Sequence, residues 1–342
     1  MFIKIITAAL CVTIAIFALI SCGTTVNEPI VKSPIPVSWT GITTSGNPHA
    51  RHEAAFIAVN DKCYLLGGRR IQPVDIYDPA SKTWTVGSPP PMEIHHFQPV
   101  VWEGRIWLPG AMTGGYPKEK ALDHIPIYDP KSDTWSKGPT VPAERRRGGA
   151  GAVIHNNTLY TVCGIVNGHW DGNVAWLDAL DLRTGTWSKL SDAPRVRDHF
   201  QAAVVGDNIY AVGGRKTSGA TKEVFNLTIP EVDVYSIITG TWTTLPMDSH
   251  LPTPRAGSMS FALGDAVLVI GGESTTQKEA HNQVQALNIH NGQWATWPPL
   301  QQGRHGSGIA RLNDVLFIAA GSGGRGGGPE LNTTEAAVVV KP

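Results

Sequence analysis

Five arginines recur along this chain, Arg51, Arg147, Arg197, Arg255 and Arg304, spaced by about fifty residues or about twice that. Ile94 stands where the double interval would put a sixth. The next position in each case reads His52, His95, Gly148, Asp198, Ala256 and His305, and the one after reads Glu53, His96, Gly149, His199, Gly257 and Gly306. A guanidinium offers a planar fork that matches carboxylate, sulfate or phosphate. Imidazoles titrate near neutral pH and, beside a carboxylate, suit proton transfer. The arginines, joined by Arg146, and the histidines His52, His95, His96, His199 and His305 are therefore candidates for binding an anion. Glu53, His96 and His199 are the candidates for catalysis. A residue repeated in five of six units can instead serve the scaffold by bonding carbonyls or carboxylates between neighbours, and the sequence leaves both roles open. Zinc needs three or four ligands in a defined geometry. Here the histidines fall in separate units with no spacing that enforces convergence, so no metal site is expected. The run Gly323 to Gly328 is too flexible to read as a phosphate loop, which opens a helix after its glycines; no helix is expected here, and no cofactor is expected either.

Such columns act together only if a repeating architecture stacks them, and tryptophan marks that repeat. Trp84, Trp135, Trp187, Trp242 and Trp294 stand 51, 52, 55 and 52 residues apart. Six positions before each lies Asp78, Asp129, Asp181, Ser236 or Asn288, short polar side chains that bond the backbone and start turns. Upstream, apolar runs end in Gly67-Gly68, Gly213-Gly214 and Gly271-Gly272, with the weaker versions Gly110-Ala111, Cys163-Gly164 and Ala320-Gly321. Before these runs come pairs such as Asn60-Asp61 and Asn156-Asn157, which tolerate positive φ and close two-residue hairpins. Each unit is read as four antiparallel strands, a to d, with the glycine pair ending b and the Trp on d.

The glycine doublet, the later Trp and the period near fifty resemble the Kelch motif. The resemblance covers residues 37–342 and implies an all-β, six-bladed Kelch β-propeller. After Ala320-Gly321 one more strand is expected near Ala336 to Val340, and no Trp strand follows it. Trp39, 45 residues before Trp84, supplies the missing strand. The last blade is therefore expected to be closed by the N-terminal strand, which removes a free sheet edge. Propeller geometry places the start of strand a and the b–c loops on one face, so the Arg and His columns should ring one channel mouth. The third b–c loop carries Asn167-Gly168-His169-Trp170-Asp171-Gly172. Its Trp170, beside polar groups, suits stacking on a sugar ring and joins the binding candidates.

The N-terminus follows different physics. Ile5 to Ile20 is an uncharged run, apolar but for Thr7 and Thr13, short for a bilayer span but suited to a signal-peptide core. Leu19-Ile20-Ser21-Cys22-Gly23 resembles the lipobox of bacterial lipoproteins, which implies cleavage before Cys22 and acylation of that cysteine. Residues 1–21 are read as signal peptide, 22–36 as a lipid-anchored tether and 37–342 as the propeller. Gly23 after the cysteine directs the expectation to the outer membrane, on its periplasmic or surface face. Lys plus Arg equals Asp plus Glu at 28 each, so no global field attracts nucleic acid. Cys63 and Cys163 fall in strands of blades that are not neighbours and are expected as separate buried thiols.

The leading functional expectation is a monomeric binding module for an anionic glycan or a protein partner. The alternative is a periplasmic enzyme of acidic-sugar mutarotase or epimerase type, using the Arg- and His-lined mouth; a sialic-acid mutarotase with Kelch repeats is similar in compartment and fold class. A copper oxidase like galactose oxidase would need a Tyr–Cys crosslink, and Cys63 and Cys163 sit in strands b, away from the loop face.

Overall fold

The computed structural model describes residues 35–340; the expected signal segment 1–21, the anchor Cys22 and the tether to residue 34 lie outside the described residues. Six four-stranded antiparallel sheets follow one another along the chain. The first blade shows the scheme, with strands Ala54–Val59, Lys62–Gly67, Asp75–Asp78 and Thr83–Val86 in that order. Blades two to five repeat it, beginning at Val100–Trp102, Gly151–His155, Ala202–Val205 and Met259–Leu263. Besides strands, the described residues contain two short 3-10 turns, Ala143–Arg145 and Met247–Ser249.

The sixth blade is composite. Ile309–Leu312, Val315–Ala319 and Thr334–Val340 supply three strands, and Ile35–Gly41 from the other end of the chain supplies the fourth. Trp39 pairs with Ala337 and Thr40 with Ala336, so the ring is closed by the N-terminal strand as expected. That strand also takes in Ile35 and Pro36, which the sequence reading had assigned to the tether.

The repeated residues perform local tasks. The carboxylate of Asp78 accepts from the backbone N–H of Ala80 at 2.9 Å, Asp129 from Lys131 at 2.8 Å and Asp181 from Arg183 at 2.8 Å, which fixes the c–d turns. The Trp residues fasten each blade to the one before it. Trp135, Trp187, Trp242 and Trp294 donate their indole N–H to Ser88, Thr140, Ser191 and Ser249 carbonyls at 2.8–3.0 Å. At the closing seam the backbone takes over: Trp84 N–H reaches the Ser45 carbonyl and Ser45 N–H the Lys82 carbonyl, both at 2.9 Å. Between the blades lie apolar clusters such as Ala55, Leu66, Ile106 and Tyr128. Cys63 and Cys163 are separate, buried and free.

Candidate functional site

The start of strand a in each blade brings the aligned columns to the axis. The second residue after the arginine position adopts the left-handed conformation in every blade: Glu53, His96, Gly149, His199, Gly257 and Gly306, with φ between 51° and 64°. Backbone bonds of 2.7–3.1 Å link them in turn, from His96 N–H to the Glu53 carbonyl, then Gly149 to His96, His199 to Gly149, Gly257 to His199 and Gly306 to Gly257, and Ala54 N–H closes the circle on the Gly306 carbonyl at 3.2 Å. Three blades satisfy this turn with glycine. The other three place Glu or His there, at a cost of about 1 kcal/mol each. Non-glycine residues held in that region collect at sites of function.

Below this circle two glutamines brace the channel. Gln98 accepts from the backbone N–H of Ala152 and Ala202 at 2.7 and 2.8 Å, while Gln201 donates to the Ser307 carbonyl at 3.0 Å. Above it opens a cavity of about 520 Å³, whose wall includes Tyr116, Phe225, Arg69, Arg70, Glu53 and His169.

The arginine column does not face that cavity. Arg51, Arg197, Arg255 and Arg304 are fully buried and Arg147 nearly so. Each bonds the carbonyl sixteen residues on, the first position of the glycine-doublet column: Gly67, Cys163, Gly213, Gly271 and Ala320, at 2.5–3.1 Å. Each also reaches an acceptor on strand c of its own blade. Asp75, Asp178 and Glu335 take Arg51, Arg147 and Arg304 at 2.6 Å, and Asp233 takes Arg197 at 2.5 Å. Gln285 serves Arg255. These five are corrected from ligand candidates to ties between strands, because a buried guanidinium must spend its donors on protein acceptors. Arg146 is half-buried and donates to the Val141 carbonyl at 3.3 Å, so it too is engaged away from the mouth.

The histidines do converge. His96, His169 and His199 are buried, and one nitrogen of each lies within 4.8 Å of the others. Their second nitrogens are held from behind. His169 Nδ1 lies 2.9 Å from Glu119 Oε1, His199 Nδ1 bonds Asp198, and His96 Nδ1 meets His95 Nδ1 at 2.7 Å. His169 Nε2 and His199 Nε2 are 2.9 Å apart, and Glu53 Oε2 lies 3.3 Å from His96 Nε2. The absence of a metal site was expected on the ground that histidines in separate blades would not converge, and that premise fails.

Burial, followed by the charges of His95, His169 and His199, pushes the His96 imidazole well below its usual protonation range. Burial, then Arg69, lowers His95 to about 4. Burial also lowers His169, with His199 adding to it. Glu53 runs the other way: burial would raise it, but the neighbouring His199 and His305 outweigh this and hold it below the usual carboxylate range.

The remaining candidates divide. His52 bonds Glu330 Oε1 at 2.7 Å and lines the cavity. His305 donates from Nε2 to the carbonyls of Gly324 and Gly326 at 3.0 and 2.9 Å, with its Nδ1 4.0 Å from Glu53. Trp170 is 36% exposed, with Lys118 Nζ 4.8 Å over its ring. Outside the predicted set, the structure adds His169, Glu119, Arg69 and Arg215. Arg69 meets Glu119 at 2.6 Å and Arg215 meets Glu273 at 2.5 Å. Gly168 lets His169 reach inward, since a Cβ there would lie 2.3 Å from Glu119 Oε2. The sequence signal for it was the loop Asn167 to Gly172, where the neighbouring Trp170 drew attention instead.

The fold and its repeated ties define a class, the Kelch propellers. The family described as the KLHDC2/KLHL20/DRC7 Kelch-repeats domain matches residues 141–321, just over half of the chain. The chain belongs to the Kelch-repeat family. It is similar to Kelch-like protein terF of Aspergillus terreus, 27% identical over 86% of this chain and 66% of that protein. It is also similar to Acyl-CoA-binding domain-containing protein 4 of Arabidopsis thaliana, 24% identical over 77% of this chain and 41% of that protein. The chain therefore spans less than two thirds of these relatives' own lengths. The solved structure of YjhT aligns with a TM-score of 0.69 at 17% identity, covering 85% of this chain and 95% of that one, a likeness of fold. Kelch propellers are binding scaffolds in general, and the ligand has to be argued from the site.

Proposed function

We propose that this protein is an exported, lipid-anchored propeller that binds a small polar ring compound, acidic sugars foremost, in the mouth cavity. The observation that carries the reading is the wall of that cavity of about 520 Å³, a size suited to a small molecule. Tyr116, 60% exposed, and Phe225 offer apolar ring surface, and the same wall carries Arg69 and Arg70, which pair with Glu119 and Glu330 at 2.6 Å and keep further guanidinium donors. Aromatic faces stack on sugar rings while forked donors fix an acidic substituent. The acidic preference rests chiefly on Arg70, whose side chain is exposed beside its partner Glu330, since the column arginines are buried and consumed by the blades. Saturation-transfer NMR with neutral and acidic monosaccharides tests it. Contacts from acidic sugars that vanish in a Tyr116→Ala/Phe225→Ala double variant are expected; a silent panel sinks the reading. The apolar run to Ile20 followed by Ser21-Cys22 supports export and lipid anchoring.

A second reading is conversion of such a sugar, as in a mutarotase or epimerase. It is favoured by Glu53, which lines the cavity, standing 3.3 Å from His96 in the narrow channel beneath it, both in strained conformations. Sugar anomerisation followed by NMR should slow in His96→Ala. Equal rates would remove His96 from any such step.

A further inference from the structure

The hydrogen bonds around the histidine cluster determine which nitrogen of each ring carries a proton. Glu119 already accepts from Arg69 at 2.6 Å and from the His169 backbone N–H at 3.0 Å, so it is a carboxylate acceptor and His169 Nδ1 must donate to it. Asp198 accepts from the Thr217 backbone N–H at 2.8 Å and the Thr217 hydroxyl at 2.6 Å, so His199 Nδ1 donates in turn. The Gly114 carbonyl, 3.1 Å from His95 Nε2, can only accept. His95 therefore donates from Nε2, its Nδ1 keeps the lone pair, and His96 Nδ1 donates across the 2.7 Å contact.

Each Nδ1 is thereby committed away from the cluster, and the three Nε2 atoms, with the lone pairs a neutral imidazole carries there, turn toward one small space. Two of those lone pairs face each other across only 2.9 Å, and the Glu53 carboxylate adds a fourth electron-rich atom 3.3 Å from the third. Unpaired acceptors packed this closely in a buried space are costly unless a cation sits among them. A proton shared between His169 and His199 is the simplest such cation, but it bridges only that pair, whereas a metal ion can take all three nitrogens. Nitrogen ligands about 2.0–2.1 Å from a tetrahedral metal lie about 3.3 Å from one another, a spacing bracketed by the 2.9 Å contact and the 4.8 Å limit of the cluster.

We infer that His96, His169 and His199 form a binding site for a divalent transition metal of the zinc class, with their Nε2 atoms as ligands. Three imidazoles suit zinc, copper or nickel rather than calcium or magnesium. Glu119, Asp198 and His95 orient the ligand rings through the opposite nitrogen, the arrangement that raises ligand basicity in metal sites. His169 and Glu53 line the mouth cavity while His96 and His199 line the narrow channel beneath it. A metal here would thus keep one side toward the cavity, the open arrangement of sites where a metal meets water or substrate.

The site shares its floor with the proposed sugar pocket, but its test needs no organic ligand, so each can fail alone. The purified full chain is stripped with a chelator, loaded with Zn(II) and passed over a desalting column before elemental analysis. About one zinc per chain is expected, with a raised melting temperature. His169→Ala and His199→Ala should abolish retention, and Asp198→Asn should weaken affinity about 10–100-fold. Co(II) loading of the unmutated chain gives a readout that survives poor folding of the variants: intense visible bands of tetrahedral cobalt are expected. No retained zinc, or retention equal in all variants, or no cobalt bands, overturns the site and leaves the shared proton as the occupant.

Discussion

Arg255 donates from Nη1 to Oε1 of Gln285 at 2.5 Å, and it is the one arginine of its column whose partner on strand c carries no charge. Burial consequently lowers Arg255 to about 9. The other four, with Asp75, Asp178, Asp233 and Glu335 as partners, have their charge answered within the blade.

Gln285→Glu should therefore stabilise the fold. The substitution keeps the shape and supplies the counter-charge its neighbours have, against the cost of burying a carboxylate. We expect a gain of about 1 kcal/mol, or about 2 °C in melting temperature. Thermal melts of both proteins at neutral pH decide it, and a lower melting temperature would show that the new carboxylate costs more to bury than the pair returns.

Glu53→Gly should not weaken the protein. Position 53 sits at φ 54°, where glycine already stands in three other blades, and glycine carries no Cβ penalty there. Relief of about 1 kcal/mol is expected, while ligand binding at the mouth falls. A melting temperature several degrees lower would mean that the Glu53 side chain is a structural tie.

Acid should loosen the wall between the fifth and sixth blades through Glu273. Burial would raise this carboxyl, but His305 and Arg215 outweigh it and hold it at about 2, against an ordinary 4.5. A depressed carboxylate contributes stability that is fully present above about 4.5 and is lost as pH falls toward about 2. The amount is on the order of 3 kcal/mol. Denaturant melts between pH 7 and pH 2.5 should show this slope in the natural sequence and a flatter one in Glu273→Gln. Parallel curves would place the acid sensitivity elsewhere.

Cys22→Ala should release the protein from membranes. Under the proposed anchoring, the natural protein partitions into the detergent phase and incorporates labelled palmitate in a bacterial host. The variant should do neither, and equal labelling of both would locate the lipid on another residue.

The ring, its six blades and its closure through Trp39 are legible in the sequence because each rests on a residue whose job recurs. Asp78 turns the chain, Gly67 permits a left-handed step, and Trp135 grips the previous blade. The role of the arginines is legible too, in a second column that runs beside the Trp markers. Nine residues before Trp84, Trp187, Trp242 and Trp294 stand Asp75, Asp178, Asp233 and Gln285, whereas Pro126 holds that place in the blade where Ile94 replaces arginine. Arginine and acceptor vanish together, which marks a tie within the blade. His169 could not be placed this way. It lies in a loop with no counterpart in other units, and its approach to the axis depends on that loop resting against Glu119 and receiving the Gly219 N–H at 2.8 Å. Convergence of this kind is set by the paths of two irregular loops, which leave no period to read.

The pairing of Trp39 with Ala337 joins residues nearly three hundred positions apart. A ring fastened in this way cannot be completed in the order in which a ribosome delivers it. Five blades can fold as they emerge, while Ile35–Gly41 waits with both edges bare until Thr334–Val340 arrives. The seam is thus the slow, long-range step of folding, and a chain cut short of Thr334 would leave two hydrophobic strand edges open to other molecules.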